Sequence, residues 1–222
     1  MGSSSIFQRT ALISVYDKEH IADFAAKLLA LGFRILSTGG TAKILAEHNI
    51  PVTDIALYTG EEEMLSGRVK TIHPKIFGGI LFDREDEKHL TKIAERSIAP
   101  IDMVVVNFYP FAEKAVEQSL SLEQAINYID IGGPSLLRSA AKNWENCLPV
   151  CSPCDYDRVI DAIKTDTVTT NFRKTLAGKV FTSVAQYDRM IGRYFADEEK
   201  STSSLHLDLK KIQDLKYGEN PQ

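Results

Sequence analysis

A chain of 222 residues, 44% hydrophobic and 25% charged with a formal charge of -4, has the composition of a globular protein. It is long enough for one large domain, or a domain with a small helical annex. The acidic balance argues against a nucleic-acid partner. No apolar run reaches the roughly 20 residues of a membrane helix, and Met1 to Arg9 lacks the apolar core of a signal peptide, so a cytoplasmic protein is expected.

Residues 1–9, with Gly2-Ser3-Ser4-Ser5, read as a flexible lead or tag remnant outside the fold. Thr10 to Tyr16 is apolar on both faces, the pattern of a buried parallel strand. Asp17 is placed to cap a helix that carries Ile21, Phe24, Ala25, Leu28 and Leu29 and ends at Gly32. Phe33 to Ser37 is a second strand, followed by Thr38-Gly39-Gly40-Thr41 and a helix from Ala42 to His48. This strand–helix–strand order predicts a doubly wound, mainly parallel α/β sheet.

Hydroxyls and glycines between a strand and a helix N-terminus suit an anion, because free N–H groups and the helix dipole converge there. The same residues also fit a tight turn with Thr41 as N-cap. Ser14 and Lys18 follow the first strand and fall at the same sheet edge. Ile50 to Ile55 is a short strand, Glu61 to Met64 potentially helical, and Ile80 to Phe82 a further strand. Between them, Gly67-Arg68-Val69-Lys70-Thr71-Ile72-His73-Pro74 sets three basic side chains in eight residues. A cationic loop gripping an anion and a solvated basic loop both fit it.

Asp83 to Arg96 is a charged helix with a thin stripe of Leu90, Ile93 and Ala94. Ile101 to Tyr109 is a buried strand ending in Asn107 and Tyr109. Ser121 to Tyr128 is helical. Ile129-Asp130-Ile131-Gly132-Gly133 then leads into a helix with Pro134 at its first position and Lys142 near its end. An ion pair between Asp130 and Lys142 is possible if that helix turns back on the loop. Leu148 to Cys151 is a strand, and 155–164 and 171–196 are helical. Cys147, Cys151 and Cys154 read as reduced thiols rather than a metal site, since no matching Cys or His pair follows.

Taken together, Ser14-Val15-Tyr16-Asp17-Lys18, Ser37 to Ala42, Gly67 to Pro74, Asn107-Phe108-Tyr109-Pro110-Phe111, Ile129 to Gly133 and Ala140 to Asn143 resemble the N-terminal, IMP cyclohydrolase portion of the bifunctional AICAR transformylase/IMP cyclohydrolase family. The likeness covers about residues 10–222. It implies a methylglyoxal-synthase-like fold over 10–197 with a C-terminal helical annex. Residues 198–222 would be a linker and the truncated start of a transformylase domain. It implies ring closure of 5-formamidoimidazole-4-carboxamide ribotide to inosine monophosphate, in a cytoplasmic homodimer. No cofactor or metal is implied, and no nucleic-acid or membrane partner.

By motif, the resemblance assigns Ser14, Lys18, Thr38, Gly40 and Thr41 to the phosphate and ribose side. Arg68, Lys70, Thr71, Asn107, Tyr109, Asp130, Ile131, Gly132 and Gly133 would line the base. Lys70, Tyr109, Asp130 and Lys142 would be catalytic, with Lys70 and Asn107 donating to the formyl oxygen. Two other readings use the same fold. A methylglyoxal synthase would share the phosphate pocket, but leaves Arg68 to Thr71 and the Asp130/Lys142 pair without a purpose. A nucleotide-sensing module, like the regulatory domain of carbamoyl phosphate synthetase, needs no catalytic lysines.

Overall fold

Ala11, Leu12 and Ile13 are all fully buried, which requires a strand covered on both faces. The computed structural model describes residues 9–108, 111, 115 and 118–196. Five parallel strands, β1 (Arg9–Val15), β2 (Phe33–Ser37), β3 (Thr53–Asp54), β4 (Met103–Asn107) and β5 (Leu148–Val150), lie in the order β3-β2-β1-β4-β5. Successive side chains go to opposite faces. Ala11, Ile13, Ile35 and Val105 pack under α1 (Ile21–Ala30) and α8 (Tyr156–Lys164). Leu12, Leu36, Val104 and Val106 pack under α4 (Pro74–Leu81), α7 (Gly132–Lys142) and the 26-residue α9 (Thr170–Phe195). The expected doubly wound parallel sheet is therefore present, with a helical C-terminal part.

Several boundaries differ from the sequence expectation. Arg9 belongs to β1, where it pairs with Phe33 and its guanidinium donates to the Leu31 carbonyl; residues 1–8 lie outside the described residues. Asp17 does not cap α1. Its carboxylate accepts from Glu19 N at 2.9 Å, and α1 starts after His20, which sits at φ 56°. The helix after β2, α2 (Gly39–Glu47), starts three residues before Ala42, placing Thr41 inside it.

The Ile50–Ile55 strand shrinks to two residues, because Asp54 caps α3 (Ile55–Thr59) by accepting from Ala56 N at 2.7 Å. Glu61 to Met64 is not helical; Met64 pairs with Val69 instead. Ile80–Phe82 is no strand. His73 Nδ1 accepts from Lys75 N at 3.1 Å, Pro74 opens the first turn, and Ile80 ends up buried on α4. The charged α5 (Glu87–Glu95) fully buries no residue: Leu90 and Ala94 are exposed, and Ile93 is half-buried beside Gly78. Ser121 forms a capping box with Gln124 at α6 (Leu122–Ala125), after which Ile126–Tyr128 tightens into a 3-10 turn. Pro134 is the third residue of α7, not the first, because Gly132 already has helical geometry. Residues 197–222, and with them the expected linker, lie outside the described residues.

The chain leaves β1 towards β2 on one side and returns to β4 on the other. Connections at such a point splay apart at the carboxyl ends of the strands and open a crevice. Leu137 on α7 is fully buried beneath the sheet next to it. Leu137→Ala is expected to lower stability by about 2–5 kcal/mol, read as a lower urea midpoint at unchanged slope.

Candidate active site

A cleft of about 860 Å³ opens at the carboxyl ends of β1 and β4. A smaller hollow of about 440 Å³, lined by Asp83, Glu85, Trp144 and Arg173, opens beside the residues that precede β5. It contains none of the residues singled out from sequence. The large cleft contains nearly all of them: Ser14, Lys18, Thr38, Gly40, Thr41, Arg68, Lys70, Thr71, Asn107, Asp130, Ile131, Gly132 and Gly133 line it. Tyr109 lies outside the described residues.

One end is built by the start of α2. Thr38 occupies the N-cap position, and its side chain makes no capping bond. Its hydroxyl and the first N–H groups of the helix therefore face the cleft without helical partners. Lys18 folds back so that Nζ donates to the Val15 carbonyl and, at 3.2 Å, to Thr41 Oγ1. Burial lowers the Lys18 pKa, against the pull of neighbouring Asp17. Thr41 plays a different part from the one expected. Its buried hydroxyl donates to Val15 O at 3.0 Å and accepts from Val15 N at 3.1 Å. Only its backbone N–H is left for a ligand, and the hydroxyl fixes α2 to β1. Ser37 is likewise buried and donates to Ile13 O at 2.7 Å.

Asn107 stands between the two ends. Its Oδ1 accepts from Tyr16 N at 2.7 Å and Asp17 N at 2.8 Å, and its Nδ2 donates to Asp17 O at 3.0 Å. The amide thus clamps the loop that carries Lys18, rather than pointing all its capacity at a formyl oxygen.

At the far end, α7 begins with Gly132 and Gly133. Asp130 Oδ1 accepts from Gly133 N at 2.9 Å. A Cβ on Gly133 would overlap Asp130 Oδ2 and lie 3.1 Å from Val106 Cγ1, so the carboxylate can dock there only against glycine. Burial raises the Asp130 pKa, while the Gly133 and Gly132 N–H groups lower it. The Asp130 N–H donates to Tyr187 Oη at 2.8 Å, and burial pushes that phenol up to about 12. Lys70 pairs with Glu63 at 2.8 Å, and Arg68 donates to Asn127 Oδ1 at 3.0 Å.

Lys142 is not brought to this site. It is exposed in the last turn of α7, and eleven helical residues carry it about 15 Å from the end where Asp130 sits. The expected Asp130–Lys142 ion pair is therefore absent: the helix runs away from the loop instead of turning back on it. Sequence reasoning also missed Glu63, Asn127 and Tyr187. None belongs to a short motif: Asn127 and Tyr187 reach Arg68 and Asp130 through tertiary packing, and Glu63 reaches Lys70 across a tight turn. Among the described residues, no three His, Cys, Asp or Glu side chains group as a metal site, and no helix is long and apolar enough to cross a membrane. The three cysteines are free thiols.

The family model for the MGS-like domain matches residues 20–135, which contain most of this cleft. The chain belongs to the MGS-like domain family. A second model, the AICARFT/IMPCHase bienzyme, matches residues 140–222. The chain is 51% identical over 215 residues to the bifunctional purine biosynthesis protein PurH of Oceanobacillus iheyensis, covering 96% of this chain and 42% of that protein. It is 49% identical over 214 residues to the PurH of Fusobacterium nucleatum, with the same two coverages, 96% and 42%. The chain thus spans less than half the length of these curated relatives. The crystal structure of ForH superposes with a TM-score of 0.76 at 35% identity, over 84% of this chain and 96% of that one.

The direction of the Asp130 shift makes a stability prediction. The unfolded carboxyl ionises near its ordinary 3.8, and the folded one at a higher pH. The native state thus binds more protons across that window, and the carboxylate lowers stability as pH rises through it. Asp130→Asn keeps an acceptor for Gly133 N. Its stability relative to the parent should increase from about pH 3 towards neutrality and then level off, as read by urea titration at each pH.

Proposed function

We propose that this chain carries IMP cyclohydrolase activity, closing 5-formamidoimidazole-4-carboxamide ribotide to inosine monophosphate with release of one water. One observation carries the reading. A single cleft offers Lys18 and an open helix N-terminus at one end, and Lys70, Arg68 and Asp130 at the other. A nucleoside monophosphate has that polarity: a dianion at one end and a polar heterocycle at the other. The names of the relatives point the same way.

In this reading Ser14, Lys18, Thr38, Gly40 and the Thr41 N–H hold the phosphate and ribose. Arg68, Thr71, Ile131, Gly132 and Gly133 flank the base. The carboxamide nitrogen attacks the formyl carbon, the new C–N bond forms, and the formyl oxygen takes the electron pair. Lys70 supplies positive charge and a proton to that oxygen. The carboxamide nitrogen gives up one proton and the formamido nitrogen the other, the C–O bond breaks as a C=N bond forms to the formamido nitrogen, and the oxygen leaves as water. Asp130 accepts from the carboxamide. Its raised pKa suits proton exchange better than that of an exposed carboxylate. Holding both amides in near-attack geometry supplies a large share of the acceleration, up to about 7–11 kcal/mol in model systems. Tyr109 is a further candidate for the proton route. Lys142 has no part in this route, since α7 carries it to the opposite end. The same reading carries a cytoplasmic homodimer and a parent protein that also has AICAR formyltransferase activity.

The test is incubation with the formamido ribotide, following inosine monophosphate by absorbance. Dihydroxyacetone phosphate serves as a parallel substrate for methylglyoxal formation. Turnover of the ribotide alone is expected. Nucleotide binding without turnover would replace the reading with a sensing role. Lys70→Ala should lower kcat by about 10²–10³, the usual cost of losing one donor to a developing oxyanion. Lys18→Ala should weaken inosine monophosphate binding by about 10- to 100-fold in calorimetry, the worth of one charge-assisted contact to phosphate.

A further inference from the structure

Glu63 and Lys70 face each other because the chain folds back between them. Met64 N donates to Val69 O at 3.0 Å, and Val69 N to Met64 O at 3.2 Å. Glu63 and Lys70 are the next residues outward on the two arms, a spacing that brings side chains into contact across an antiparallel pair. Glu63 Oε2 lies 2.8 Å from Lys70 Nζ. The turn between them holds Leu65, Ser66 and Gly67 at φ 53°, 55° and 83°. Left-handed backbone is costly for the first two, and it persists because Gly67 N and Arg68 N donate to Met64 O and Leu65 O.

The consequence falls on Lys70. A Cβ on Gly67 would lie 2.7 Å from Lys70 Cε, and one on Gly39 would lie 3.6 Å from its Nζ. The ammonium is therefore seated between two residues without side chains, at the border of the phosphate and base ends of the cleft, with one carboxylate holding it there. The two side chains remain 31% and 54% exposed, so the pair contributes little to folding. What the strained turn and the ion pair secure is a position.

We propose that Glu63 is a positioning residue for the cyclisation, acting only through Lys70 by aiming its ammonium into the cleft. This rests on the function proposed above. The experiment is a cycle of Glu63→Gln, Lys70→Ala and the double variant, with steady-state and single-turnover formation of inosine monophosphate from the formamido ribotide. Glu63→Gln should lower kcat about 10- to 100-fold, the cost of misplacing a catalytic group, while KM moves less than about threefold. In the Lys70→Ala background the same change should alter the rate by less than about twofold. The urea midpoint of Glu63→Gln should match the parent.

An unchanged kcat in Glu63→Gln overturns the proposal. So does an equal loss in the Lys70→Ala background, which would show a role independent of Lys70. A parent protein that makes no inosine monophosphate overturns the cyclohydrolase reading and this one with it. A parent that turns over beside a fully active Glu63→Gln overturns this one alone.

Discussion

The pairing of β1 with β4 fixes the geometry at the mouth of the cleft. Its register ends with Val15 opposite Asn107, so the Asn107 amide arrives under the loop that leaves β1. Three hydrogen bonds then tie Tyr16 and Asp17 to that amide, and the held loop returns Lys18 to Val15 and Thr41. Thr41 in turn bonds both polar backbone groups of Val15 and so pins the start of α2. A slip of one residue between the strands would turn every side chain of β1 to the wrong face and separate these groups together. The buried run from Ala11 to Ile13 against Met103 to Val106 makes such a slip prohibitive.

Two helix starts, those of α2 and α7, line the same cleft and bring partial positive charge to it from opposite sides. They are used differently. The first keeps its N–H groups free of side-chain caps. The second is partly neutralised by Asp130, whose carboxylate takes the Gly133 N–H. Burial and the two N–H groups push that carboxyl in opposite directions, and burial prevails. One end is thereby suited to a permanent dianion, and the other to a group that gains and loses protons during a reaction.

Much of this was legible in the chain. Continuous apolar runs announced β1, β2 and β4, and the hydroxyl–glycine and basic motifs marked the residues that line the cleft. What escaped had physical causes. Ile80–Phe82 is apolar without a period long enough to separate strand from helix, and the cap that decides it comes from a histidine, an uncommon N-cap. The start of α2 was misplaced because Thr41 looks like a cap, while its hydroxyl serves a strand 26 residues away in sequence. The Asp130–Lys142 pair depended on the direction of a helix axis, which spacing does not encode. Glu63 and Tyr187 reach the site through a turn and a distant helix that no local pattern foretells.

The two family models meet between residues 135 and 140, inside α7. That seam is not a joint. Residues beyond it supply β5, hydrogen-bonded to β4, and α9, which packs along α7 and covers the sheet face beneath Val104 and Val106. Tyr187, from the far side of the seam, holds the backbone of Asp130 on the near side. Evolutionary bookkeeping by domain models would cut this molecule through the middle of a helix. Physically, neither half has a closed core, and the described residues would melt as one cooperative body in which the loop that carries Asp130 is braced by α9.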